Sequence, residues 1–301
     1  MLWEKINKLK TSHKYTLSIL LFSLLFFATR LLFINYDTIN PDGVNWHNRS
    51  QQFVNGIKYF QFDKTYQHYH PGVTLMWVAG AAIDITKFVI NQEVYDHINF
   101  IIFDTVAKVS VISVQYVLTL LAIFLLSKII GFYKSLAVVF LFTFETFFVG
   151  NSRLLHLDTL VSLFIFNSLI LYYLYLNDIK LFNFKYYSHV LALITGLFFA
   201  LSFLTKSIAI GLVPFALLIS IFYYFNNKNS KAFYKFGLVL VNFVSFVFIL
   251  FPALWVDPIY YLTEIFSEGE RVGIRKGHDQ IIFGETTADG GLLFYPLVLL
   301  L

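Results

Sequence analysis

The chain has 301 residues, of which 58% are hydrophobic and 13% charged, against roughly 45–50% and about 25% in soluble domains. With a mean hydropathy of +0.69 it has too few polar groups to cover a water-facing surface, which excludes a soluble globular enzyme and points to a polytopic membrane protein. The net charge of +4 comes from lysines in short loops, so nucleic acid is not the expected partner, and the lack of cysteine excludes disulfide and thiol chemistry in these residues.

The chain opens on a basic head, with Lys5, Lys8, Lys10 and Lys14 against Glu4. An apolar run over 15–34 follows, long enough to cross about 30 Å of hydrocarbon as a helix. It ends in Leu31-Leu32-Phe33 without a small-residue cleavage site, so a retained first helix is expected rather than a signal peptide. The first long polar segment, 35–103, carries Asp37, Asp42, Asp63, His47, His68, His70 and Arg49 among many aromatics. Within it, 71–90 is apolar but interrupted by Asp84 and Lys87. It is either a second span or a helix lying on the membrane surface. Further spans are expected at about 104–127, 135–150, 158–176, 189–205, 207–225 and 236–256, on the requirement of roughly 20 apolar residues per crossing, with another starting near 292. The apolar run there holds only about 10 residues before Leu301, short of that length, so the sequence is expected to continue beyond it. Segments 35–103 and 255–291 form long outer loops of a single transmembrane domain over 1–301.

Charge placement decides the status of 71–90. If it stays on the surface and the N-terminus is cytoplasmic, the cytoplasmic segments hold eleven lysines against Glu4 and Asp178 alone. That is the positive-inside pattern of a plasma-membrane protein. The outer face then receives 35–103, 150–158, 205–207 and 255–291. The expected fold is an all-α helix bundle with a long first outer loop carrying surface helices.

Several outer residues are suited to chemistry, and each has a plainer alternative. Asp42, in Asn40-Pro41-Asp42-Gly43, is either a turn or capping residue or a general base at the membrane face. Asp37 competes for the latter role. Asp158 is either a favourable first-turn acid or part of a site with Arg153, whose own partner is Asp158 or an anionic headgroup. Lys206 breaks an apolar run and is either snorkelling or holding a phosphate as a point charge. His47, His68 and His70 lack a recognised zinc spacing, so no metal is expected. Trp46, Tyr59, Tyr66, Tyr69 and Trp77 either stack on a sugar or anchor the interface. No phosphate-cradling glycine loop is present, so no nucleotide-driven pump and no cofactor is expected.

Taken together, the outer motifs resemble the GT-C membrane glycosyltransferases of the protein-mannosyltransferase-like group, glycosyltransferase family 39. The resemblance runs through Asn40-Pro41-Asp42, His70-Pro71-Gly72, Arg153 to Asp158, Leu204-Thr205-Lys206 and Pro252-Ala253-Leu254-Trp255-Val256-Asp257-Pro258. The family commonly has an Asp-Glu pair in its first outer loop; here Gly43 takes the second place. The resemblance implies an inverting enzyme that moves a hexose or pentose from a polyprenyl phosphate to a protein, lipid or glycan. It implies Asp42 as the base and Lys206 with Arg153 on the donor phosphate. Asp158, His70, His68, Trp46 and Tyr69 would support that site or receive the acceptor. A transporter or flippase of a polar lipid is the alternative, and it would place charges and broken helices near mid-membrane.

Overall fold

The computed structural model describes residues 2–37, 40–92, 99–181, 185–228, 230–274, 280–282 and 285–287. The apolar run from 292 and parts of the 255–291 loop lie outside the described residues. The chain is an α-helical polytopic membrane protein, and seven of its described helices are long and apolar enough to cross a bilayer. In chain order the helices are α1 (Leu2–Leu31), α2 (Pro41–Lys58), α3 (Val73–Ile90), α4 (Phe100–Ile130), α5 (Phe132–Thr143), α6 (Thr146–Ser152), α7 (Asp158–Leu176), α8 (Tyr187–Thr205), α9 (Leu212–Asn227), α10 (Lys231–Leu250), α11 (Ala253–Val256) and α12 (Pro258–Ile274). One short antiparallel pairing joins Gln280–Ile282 to Glu285–Thr287.

α7 is the central helix. Its most apolar 18-residue window is 72% buried, against 22% for each of α1, α9 and α10, which form the periphery. Polar side chains along α7 fasten its neighbours. Gln115 of α4 donates to Thr159 at 3.0 Å, Asn167 donates to the Leu118 carbonyl at 3.1 Å, and the Tyr172 hydroxyl meets Ser220 of α9. In an apolar medium such groups must be satisfied internally, so these bonds fix register. At one end of the bundle, Lys235 of α10 ties off α7 by donating to the Tyr175 and Leu176 carbonyls at 2.9 and 3.2 Å and pairing with Asp178 at 2.7 Å. The opposite end carries the start of α7, the end of α8 and, through Arg153, the end of α1.

Gln115 sits level with the first turn of α7, yet α4 begins at Phe100. The preceding fifteen residues of α4, about 22 Å of helix, therefore project beyond that end of α7. α3 packs along α4: Val73 and Val114 wall the same groove, and Ile90 and Phe100 each pack against the core.

Two expected spans are not single helices. The stretch 135–150 is bent by 70° between α5 and α6. Glu145 causes the break: its carboxylate accepts from the Phe147 and Phe148 N–H groups at 2.9 and 2.8 Å and starts a new helix. The Thr143 carbonyl freed at the break is taken by the buried Arg30 guanidinium. The stretch 236–256 ends as a helix at Leu250. Pro252 has no N–H to extend it, and α11 starts afresh.

Candidate functional site

Three turns converge at the acidic end of the bundle. The first is the start of α2. Asn40 caps it, its side chain accepting from the Gly43 N–H at 2.8 Å, with Pro41 in the first turn. Asp42 is therefore released from capping. The second is His70-Pro71-Gly72. Gly72 has φ +61°, and a Cβ there would come within 2.2 Å of the Trp46 ring, so only glycine fits. The third is the α8 exit at Thr205, Lys206 and Ser207. The second and third turns are bonded together: the Gly72 N–H donates to the Thr205 carbonyl at 3.1 Å, the Thr74 and Thr205 hydroxyls meet at 2.6 Å, and His70 Nδ1 meets Ser207 Oγ at 3.0 Å.

A chain of ionisable groups crosses this junction. Asp42 Oδ2 lies 3.6 Å from His156 Nε2, His156 Nδ1 lies 3.2 Å from Asp158 Oδ2, and Asp158 Oδ1 accepts from Lys206 Nζ at 2.5 Å. Asp42 is the open end, with 65% of its side chain exposed, while His156 is only 21% exposed. An imidazole between two carboxylates can hold a proton for either. The lysine at the far end offsets one of the two negative charges.

Beside this chain runs an aromatic strip. Tyr69 lies between His68 and His70 at tilted ring angles, with ring centroids 4.1 and 4.2 Å away, and Trp46 meets His68 edge-on at 6.0 Å. Both histidines are held neutral. Burial, assisted by the Arg49 charge, takes His68 down to about 4. Burial, assisted by Lys206, takes His70 down to about 4 as well. The Arg49 guanidinium lies 4.7 Å over the Trp46 ring. α12 packs beside this strip: Tyr261 packs on Tyr66 at 5.3 Å, and Gly269 lies next to Tyr69.

Of the residues expected at the site, Asp42, Asp158, Lys206, His68, His70, Trp46 and Tyr69 come together. Arg153 does not pair with Asp158. Its guanidinium is bound at two points by Asp37, at 2.7 and 2.8 Å, and donates to the Thr29 and Leu32 carbonyls at 3.0 Å each. Those carbonyls are unsatisfied at the end of α1, which is why the arginine is drawn there. His47 is also held elsewhere, within 3.0 Å of the buried Asp104, whose other oxygen pairs with Lys108 at 2.6 Å. Among the described residues no three histidine or carboxylate side chains assemble into a metal site. His156 is the member that sequence reasoning passed over. Its signal was its place two residues before Asp158 in a short polar turn between two spans.

Beneath the junction lies an apolar groove of about 390 Å³. Val73, Thr74 and Trp77 of α3, Leu160 of α7, Leu204 of α8 and Leu250 of α10 help to line it. Leu160 lies two residues beyond Asp158, and Leu204 two before Lys206, so the groove begins where the ionic chain ends. Its one lining hydroxyl, Thr74, is turned to Thr205. The chain matches no known protein family, no curated protein and no solved structure.

Proposed function

We propose that this protein is a membrane glycosyltransferase of the GT-C kind that takes a sugar from a polyprenyl-phosphate donor and transfers it to a protein, lipid or glycan at the outer membrane face. The observation that carries this reading is the continuity of the apolar groove with the Asp42–His156–Asp158–Lys206 chain. A substrate with a long hydrocarbon tail and an ionic head fits both halves at once. Each buried methylene of such a tail contributes about 0.8 kcal/mol, and the polar head sets orientation.

In this reading Asp42 takes the proton from the acceptor hydroxyl or amine. The acceptor lone pair attacks the anomeric carbon as the bond to the phosphate oxygen breaks, and that bond's electrons leave with the phosphate. The phosphate gains one negative charge in the step, so a nearby cation lowers the barrier more than a proton donor would. Lys206 is the cation of the ionic chain. His156 can accept the proton from Asp42, and its other nitrogen lies 3.2 Å from Asp158. The resemblance in motif order and the lysine asymmetry agree with this arrangement.

One observation favours a lipid transporter instead, namely the broken helix at Glu145. Against it, the Glu145 carboxylate is exposed and already accepts from two backbone N–H groups as a helix cap. The test is incubation of the purified protein with labelled polyprenyl-phosphate sugars and a panel of peptide, lipid and glycan acceptors. Covalent transfer of label that disappears in Asp42→Asn supports the enzyme. Movement of labelled lipid across vesicles without any transfer overturns it in favour of transport.

A further inference from the structure

Arg49 is the charged side chain beside the site for which the chemistry above has no use. α2 carries Asp42, Trp46 and Arg49 at positions i, i+4 and i+7 of one face, so Arg49 lies about 10 Å along the helix from Asp42. Among the described residues no carboxylate lies within ion-pair distance of its guanidinium. It rests instead on the face of Trp46. Burial lowers its pKa, with Asp42 and Tyr69 acting in the opposite direction. A partly desolvated guanidinium with no carboxylate in contact is a group that an anion would stabilise.

The surroundings define the shape of that anion. From Arg49 and Trp46 the strip continues through His68, Tyr69 and His70 to Lys206, with the two imidazole rings 5.7 Å apart. Cations thus stand at both ends of a neutral aromatic surface. His68 Nδ1 accepts from the His70 backbone N–H at 3.1 Å, which leaves the proton of the neutral ring on Nε2. That N–H is a donor with no added charge.

We propose that Arg49 and Lys206 bound an anion subsite laid along the Trp46, His68, Tyr69 and His70 surface, and that the group it takes is a phosphate ester. The proposal rests on the function stated above for its phosphate. It gives Arg49 the second-cation role that the family resemblance implied for Arg153. The planar guanidinium can hold two phosphate oxygens at once.

The test is binding to the purified full-length chain in detergent, followed by native mass spectrometry, with three probes: a polyprenyl phosphate, the matching polyprenol, and inorganic phosphate. The wild type is expected to prefer the polyprenyl phosphate over the alcohol. Arg49→Gln is expected to reduce that preference about ten- to a hundredfold, the loss of one charge-assisted contact. Arg49→Lys, which keeps the charge and the fold but loses the fork, should fall between the two. Competition by inorganic phosphate that Arg49→Gln abolishes would show that the subsite also takes free phosphate. A wild type that separates phosphate from alcohol while both Arg49 variants do so equally well overturns the subsite alone. A wild type that binds neither phosphate probe better than the alcohol overturns the donor reading and the subsite together.

Discussion

Asp37 and Arg153 are 116 residues apart in sequence and form a two-point ion pair with contacts of 2.7 and 2.8 Å. The same guanidinium closes the carbonyl end of α1, so one side chain joins the first helix, the segment before α2 and the α6–α7 turn. Lysine cannot reproduce that fork. Arg153→Lys and Asp37→Asn should each lower stability by about 1–3 kcal/mol, read as a lower melting temperature in detergent. At temperatures where the variants stay folded, affinity for a polyprenyl phosphate should match the wild type. A selective loss of phosphate binding by folded Arg153→Lys would return Arg153 to the donor site.

The proposed base and relay separate by substitution. Asp42→Asn keeps the shape but removes the basicity, and transfer should fall by roughly two to four orders of magnitude while donor binding survives. His156→Gln leaves Asp42 able to accept a proton but removes its neighbour, so the expected loss is smaller and should shrink as pH rises. Near-normal turnover in folded Asp42→Asn would move the base to another group, and a pH-independent loss in His156→Gln would remove the relay.

Lys206 is expected to act on the leaving phosphate, which gains charge only as the sugar departs, so its loss should lower kcat at saturating donor as well as affinity. Lys206→Arg should recover part of both, because charge matters at a point contact. Lys206→Ala with unchanged kcat and unchanged donor affinity would leave Lys206 as a structural partner of Asp158.

The helical class and most spans were legible in the sequence because twenty-residue apolar runs have few other uses. The break between α5 and α6 was not. Glu145 reads as one stray charge in an apolar stretch, and its capping role appears only once the Phe147 and Phe148 N–H groups are seen to face it. At the site, Asp42, Asp158 and Lys206 stood out as charges at helix ends. Arg153 stood out for the same reason but is consumed by Asp37, a pairing between distant segments that no local pattern encodes. His156 was overlooked because a lone histidine in a turn carries no spacing rule. Only the 3.6 and 3.2 Å contacts on its two nitrogens mark it.

The two neutral histidines give a pH dependence with a definite sign. Unfolded, each binds a proton near pH 6.5; folded, His68 and His70 do so only near about 4. Between those values the unfolded chain holds more protons, so stability rises with pH across the window and is lost on acidification through it. The melting temperature should therefore drop from pH 6.5 to pH 4, and a His68→Asn, His70→Asn double variant should drop less. Equal slopes in the two proteins would show that the imidazoles are not held neutral by the fold.

The last prediction concerns α3, whose length and composition would allow it to cross a bilayer. Its surroundings argue for the membrane surface. Its first turns, Val73 to Val78, line the groove with α7 and α8, and the helix packs along α4. Its residues Ile85, Phe88 and Val89 are 63%, 89% and 72% exposed, an apolar face that water would disfavour and that a lipid interface would cover. Asp84 on the same helix pairs with Lys58 at 2.5 Å. With α3 on the surface, the lysines at 128, 134, 180, 185, 228, 231 and 235 all fall on one side, as the positive-inside rule requires of cytoplasmic loops. With α3 spanning, they are exported. Reporter fusions after Lys134, Asp178 and Lys228 should therefore read cytoplasm, and fusions after Asn55, Asn91 and Asp257 should read the outer side. Asn91 carries the decision, since it follows α3 directly: a cytoplasmic signal there, with Asn55 still outside, would make α3 a span and reverse every later loop.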